Sequence, residues 1–214
     1  MLASDRPYLD AYKATLKADD DDHRIAFDLP PEPFLGLRVT PVVVLSCNPA
    51  LTVGAAEQFA VPGFKDAAMA NLTAPGGTSN YALEDRFRTT PGGRWWRARL
   101  SGLLPLVNDD YSKLARLVSS IEFHGYWSKN WQAPLVTIPS QRYGFGLVED
   151  AINRRATIII ARAEKYWRQA VRAFDNYDGL VMTKTPRVAA LSKGNLYEDG
   201  YRRVAESLAG QPHR

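Results

Sequence analysis

Apolar and polar residues alternate along the chain in two different rhythms, and the rhythms change several times. Four short apolar runs have strand character. The first spans residues 38–45 and ends in Val42-Val-Val-Leu45, β-branched on consecutive positions, as in a strand buried on both faces. The second, 120–127, alternates weakly. The third, 156–161, is fully apolar and rich in isoleucine, and the fourth is Leu180-Val-Met182. Between them lie stretches with helical spacing: 94–100, 110–118, 147–155, 166–174 and 199–208, the last carrying Tyr201, Val204 and Leu208. A further helix is expected at 7–17, from the spacing of Tyr8, Leu9, Tyr12 and Leu16. Strand, helix, strand, helix in that order predicts an α/β three-layer sandwich around a central four-stranded parallel sheet. Right-handed crossovers then bring the strand ends to one edge, where ligands bind in open α/β sheets.

The breaks between elements carry the polar chemistry. Residues 29–36, Leu-Pro-Pro-Glu-Pro-Phe-Leu-Gly, form a proline-stiffened approach to the first strand. That strand runs into Ser46-Cys47-Asn48-Pro49, and the proline holds Asn48 extended. Residues 51–90 are weakly periodic and irregular, suited to a pocket wall or lid. Residues 141–146 read as a glycine-containing loop that lacks the dinucleotide-binding pattern. The fourth strand leaves through Thr183-Lys-Thr-Pro-Arg187, also proline-marked, and a loop at 191–196 precedes the closing helix. One domain covers 1–214: an N-terminal helix and lead-in at 1–36, a core at 37–209 and a tail at 210–214.

Composition narrows the chemistry. Of 214 residues, 45% are hydrophobic and 23% charged, ordinary for a globular chain. The single cysteine, Cys47, excludes an intrachain disulfide and a thiolate-bound cluster, and its place at a buried strand end suits a small core residue better than a reactive thiol. The net charge of +4 is compatible with nucleic acid. No apolar run reaches the roughly 20 residues of a membrane span, and the first residues lack a signal-peptide pattern, so a cytoplasmic location is expected. Asp19 to Asp22 suit a solvated loop better than a metal site. His124 has two uses open to it, general base or hydrogen-bonded structural group. The indoles of Trp95 and Trp96 can stack on bases or pack a helix against the sheet.

The two proline-marked exits resemble the paired motifs of the uracil-DNA glycosylase superfamily, nearest to its mismatch-specific branch. The first motif there is a hydrophobic strand entering Asn-Pro-Gly-Leu; here it enters Asn48-Pro49-Ala50-Leu51. The second is a strand ending in Asn-Pro-Ser or His-Pro-Ser, then Leu-Ser and a final helix. Its counterparts here are Thr185-Pro186-Arg187, then Leu191-Ser192. Arg94-Trp95-Trp96 is similar to the Arg-Phe-Trp that opens a helix in that family. The likeness spans about residues 36–208 and implies hydrolysis of the N-glycosidic bond of a damaged or mismatched, uracil-type base flipped out of DNA, with no cofactor and no metal.

The resemblance also implies roles. Asn48 positions water at the sugar. The backbone after it, at Pro49 and Ala50, reads the base, and Phe59 or Phe64 stacks on it. Thr185 stands where the base's carbonyl is supported. Arg187, Ser192 and Lys193 face DNA, and Leu191 is the wedge left in the duplex. The chain departs from the family at Thr185, which replaces a longer side-chain donor, at Arg187, which replaces serine, and at Ala50, which replaces glycine. Two other uses of the same sheet edge stay open: binding of nucleic acid or a nucleotide without catalysis, and an unrelated small-molecule enzyme in which Lys184 or Arg187 grips an anion.

Overall fold

The computed structural model describes residues 2–74, 76–134, 136–185 and 190–210. Its elements follow in the order α1 (Arg6–Thr15), β1 (Phe34–Leu35), β2 (Val42–Ser46), α2 (Phe64–Thr73), α3 (Pro91–Leu100), α4 (Tyr111–Leu117), β3 (Val118–Glu122), α5 (Gln141–Asn153), β4 (Thr157–Ile160), α6 (Glu164–Ala170), β5 (Leu180–Met182) and α7 (Glu198–Leu208). Short 3-10 turns join several of them, among them Ser101–Val107 after α3.

The architecture is α/β, a five-stranded mixed sheet in the order β1-β3-β2-β4-β5 flanked by helices. The strands β2, β3, β4 and β5 pair in parallel. The expected count of four was one short. Phe34 and Leu35 add an antiparallel edge strand opposite Ile121 and Ser120. The reason lies in the proline-rich approach: Pro30, Pro31 and Pro33 cannot donate to a ladder, but an edge strand needs donors on one side only. The lead-in is therefore part of the sheet.

Successive side chains of β2 enter opposite cores. Val42 and Val44 pack with Phe64, Phe87, Trp96, Leu100 and Val204 on one face. Val43 and Leu45 pack with Val148, Ala151 and Trp167 on the other. This two-sided burial explains the unbroken apolar run. Helix starts follow local chemistry. Thr90 caps α3 by accepting from the Gly93 N–H at 3.0 Å, with Pro91 in the first turn. Asp110 caps α4 through the amides of Ser112 and Lys113.

Three expected elements shift. Residues 141–146 open α5 instead of forming a loop; burial of Val148 and Ala151 outweighs glycine costs of about 1 kcal/mol each. The irregular 51–90 stretch contains α2, whose apolar residues are too evenly spread to show a face. The second strand lies earlier than 120–127, because after Glu122 the chain turns to bond the lead-in: the Glu32 N–H donates to Gly125 O at 2.8 Å and the Ala26 N–H to Trp127 O at 2.9 Å. Gly125 is required there, since a Cβ would stand 2.7 Å from the Pro33 nitrogen.

Candidate functional site

A cleft of about 200 Å³ opens at the carboxyl edge of the central strands. The end of β2 supplies Ser46, Cys47 and Asn48, the end of β3 supplies Glu122, and the exit of β4 supplies Arg162. Trp95 and Trp96 of α3 and Trp127 and Trp131 of the segment after β3 complete an indole-rich wall. Glu32 enters from the lead-in. The opening is smaller than the roughly 300 Å³ lower bound of drug-sized pockets, and its size suits one planar ring system.

Asn48 is fixed at the cleft. Its Nδ2 donates to Ser128 Oγ at 2.9 Å and to Pro49 O at 3.0 Å. Ser128 is itself held, donating to Asn130 O at 2.7 Å. Beyond the sheet, Ala50 bridges Ser128 in parallel and the Leu51 N–H donates to Ser128 O at 3.0 Å. The extended exit expected of a pre-proline residue is thus secured by a partner segment. With its nitrogen occupied, the amide keeps its Oδ1 lone pairs as the acceptor for a ligand or water.

The indole wall is braced from behind. Trp95 and Trp96 meet edge to face at 4.8 Å between ring centres. Trp127 donates its indole N–H to Pro30 O at 2.8 Å and meets Phe59 edge-on at 5.8 Å. At the start of α3, Gln58 Oε1 accepts from the Gly92 N–H at 3.0 Å, and a Cβ on Gly92 would stand 2.9 Å from that oxygen. A side chain at this position would push the Gln58 amide off the Gly92 N–H.

Two carboxyl groups lie in the cleft. Burial pushes Glu122 up to about 8, helped by the charge of Glu32 and opposed by Arg99 and Arg162. Burial also raises Glu32 to about 7, against a hydrogen bond from Tyr81 Oη at 2.5 Å that favours ionisation. Both are proton carriers near neutral pH, the range useful for acid–base work. Arg99 is buried, with its guanidinium 5.0 Å from the Trp95 ring centre; desolvation lowers it to about 10. The Cys47 thiol is driven up to about 12, first by burial and then by Glu122, which makes it inert as a nucleophile near neutrality. Burial lowers His124 to about 4, and its Nδ1 accepts from the Tyr126 N–H at 3.3 Å, a structural use of the ring.

Of the residues expected in the site, Asn48, Pro49 and Ala50 line the cleft. Phe59 stands behind its wall. Phe64 is 1% exposed, in edge contact with Phe59, Tyr81 and Phe87, so core packing leaves it no free face for a base. Thr185 does not line the cleft; its N–H donates to Asn195 Oδ1 at 3.0 Å. Strand β4 separates β5 from β2, which displaces that exit sideways. Pro186 and Arg187 lie outside the described residues. Leu191 is fully buried, with its N–H on Arg99 O at 2.7 Å, the opposite of a projecting wedge. Ser192 packs against Gly102, where a Cβ would meet it at 2.4 Å, and Lys193 is exposed on the same loop.

Glu32, Glu122, Arg162, Trp127 and Trp131 escaped the sequence reading. For Glu122 one signal existed: a lone carboxylate inside an apolar strand run. Among the described residues no group of three or more His, Cys, Asp or Glu residues is placed to hold a metal ion, and no helix is long and apolar enough to cross a membrane. Comparison with protein-family models, curated sequences and solved structures yields no match.

Proposed function

We propose that this protein is a DNA base-excision enzyme of the uracil-DNA glycosylase type, hydrolysing the N-glycosidic bond of an extruded base. The observation that carries this is Asn48. Its amide is clamped through nitrogen at the carboxyl edge of the sheet, its oxygen is left for water, and a slot walled by indoles lies beside it. The base enters the slot and stacks on an indole, which offsets a few kcal/mol of unstacking. Asn48 Oδ1 orients water toward the sugar C1′. The C1′–N bond breaks, its electron pair leaves with the base, and water supplies the oxygen of the new C1′–OH bond. The departing base takes up one proton, which Glu32 is the nearby group able to supply, and the proton shed by the attacking water restores that carboxyl group. An amide is a weak base, so positioning and leaving-group stabilisation carry the rate.

Val53, 99% exposed on the turn after the first motif, takes the wedge role that the burial of Leu191 denies it. Lys129 at the cleft and Lys193 on the second loop supply phosphate contacts.

The test is a panel of duplex and single-stranded oligonucleotides carrying uracil, ethenocytosine, mismatched guanine and damaged guanine, scored for abasic sites. Release of a base by the protein and its loss in Asn48→Ala is the expected result. Salt-sensitive DNA binding with no release in any context would leave a non-catalytic binder of the same fold. Absence of both would point to a small-molecule enzyme.

A further inference from the structure

Among the described residues that line the cleft, three carry a buried polar atom without a hydrogen-bond partner: Ser46 and Glu122 at its floor and the indole N–H of Trp131 in its wall. Ser46 and Glu122 are directly opposed in the β2–β3 register. Paired residues of neighbouring strands point to the same face, about 4.8 Å apart, here the face packed by α3. Glu122 is 7% exposed and Ser46 5% exposed, and among the described residues neither Glu122 Oε2 nor Ser46 Oγ meets a hydrogen-bond partner. Buried polar atoms left this way cost free energy until a ligand satisfies them. Glu32, by contrast, already accepts from Tyr81.

Resting on the base-excision proposal, we infer that the cleft reads a nucleobase edge made of an exocyclic NH2, a ring N–H and a carbonyl in sequence, the edge of guanine and isocytosine. The Glu122 carboxylate accepts from the two N–H donors in a bidentate pair, and the Ser46 hydroxyl donates to the carbonyl. The indoles hold the ring plane. Uracil offers acceptor, donor, acceptor along the same edge and sets an oxygen against the carboxylate. Hypoxanthine lacks the amino donor. Arg99 and Arg162 balance the carboxylate charge from α3 and from the exit of β4, while Glu32 and Cys47 also face it. Because Glu122 stays protonated up to about 8, uptake of such a base near neutral pH expels a proton.

The experiment is calorimetric titration of the whole protein with free guanine, isocytosine, hypoxanthine and uracil at pH 7 in two buffers of different ionisation enthalpy. Guanine and isocytosine should bind about 100-fold more tightly than hypoxanthine and uracil, as expected when a buried polar site is left unpaired. Their heats should report proton release. Glu122→Gln should erase the preference, and Ser46→Ala, a small change that the fold tolerates, should weaken guanine about tenfold with less effect on uracil. Equal affinity for uracil, no binding of any of the four bases, or an undiminished preference in both variants overturns the inference. Free-base binding does not require bond cleavage. Guanine selectivity without base release from any oligonucleotide would therefore overturn base excision alone, and uracil release without guanine selectivity would overturn the edge assignment alone.

Discussion

Two proline-marked strand exits looked equivalent in sequence, and the structure treats them differently. At the end of β2, Asn48 is pinned by Ser128, and Ser46 and Glu122, which line the cleft beside it, keep buried polar atoms unmatched among the described residues. At the end of β5, Asn195 closes the corner on itself. Its Oδ1 accepts from the Thr185 N–H, its Nδ2 donates to Ala190 O, and its carbonyl accepts from the Lys184 N–H. The first corner spends its polar groups outward, the second inward. A proline after a strand marks a turn; whether the turn becomes a site depends on what the neighbouring strands place beside it.

The contrast breaks most readily at Asn48. Asn48→Ala should lower base release by about 100- to 1,000-fold, while Thr185→Ala stays within about threefold. Comparable losses in single-turnover assays of both would restore the second corner to the site. Next in size, Leu191→Ala should cost about 2–5 kcal/mol of stability by leaving a cavity, whereas Val53→Ala stays within about 0.5 kcal/mol; denaturant melts decide.

A pH dependence sharpens the comparison further. Glu122 titrates higher in the fold than in the open chain, so its contribution to stability is full below about 4.5 and is lost as pH rises through about 8. Between those values the folded state binds the extra proton, and stability falls by up to about 1.4 kcal/mol per pH unit. Glu122→Gln should flatten that slope in urea titrations, leaving the Glu32 share. The smallest effect concerns the two lysines. Lys129→Ala and Lys193→Ala should each reduce the salt slope of DNA binding by about one phosphate contact. No change in either would place the duplex elsewhere on the surface.

The parallel strands were legible because burial on both faces leaves an uninterrupted β-branched signature, as in Val42 to Leu45. The antiparallel edge was not, since Phe34 and Leu35 sit among prolines that read as an approach. Asn48 was legible as a polar residue stranded by Pro49. The carboxyls were not: Glu32 reaches the cleft only through the path of the lead-in, and Glu122 acquires its character from neighbours more than twenty residues away in sequence, Arg99 among them. Phe64 and Leu191 misled for the converse reason. Their types suit stacking and wedging, but the core competes for the same rings and branches.

The lead-in also sets a limit on how small the working unit can be made. Cutting the chain before residue 37 would strip β1 from β3, remove Glu32 and deprive the Trp127 indole of Pro30 O. What remains would keep its central strands yet lose one carboxyl and the anchor of one wall, so a trimmed version designed around the apparent core would be assembled without part of the cleft's own lining.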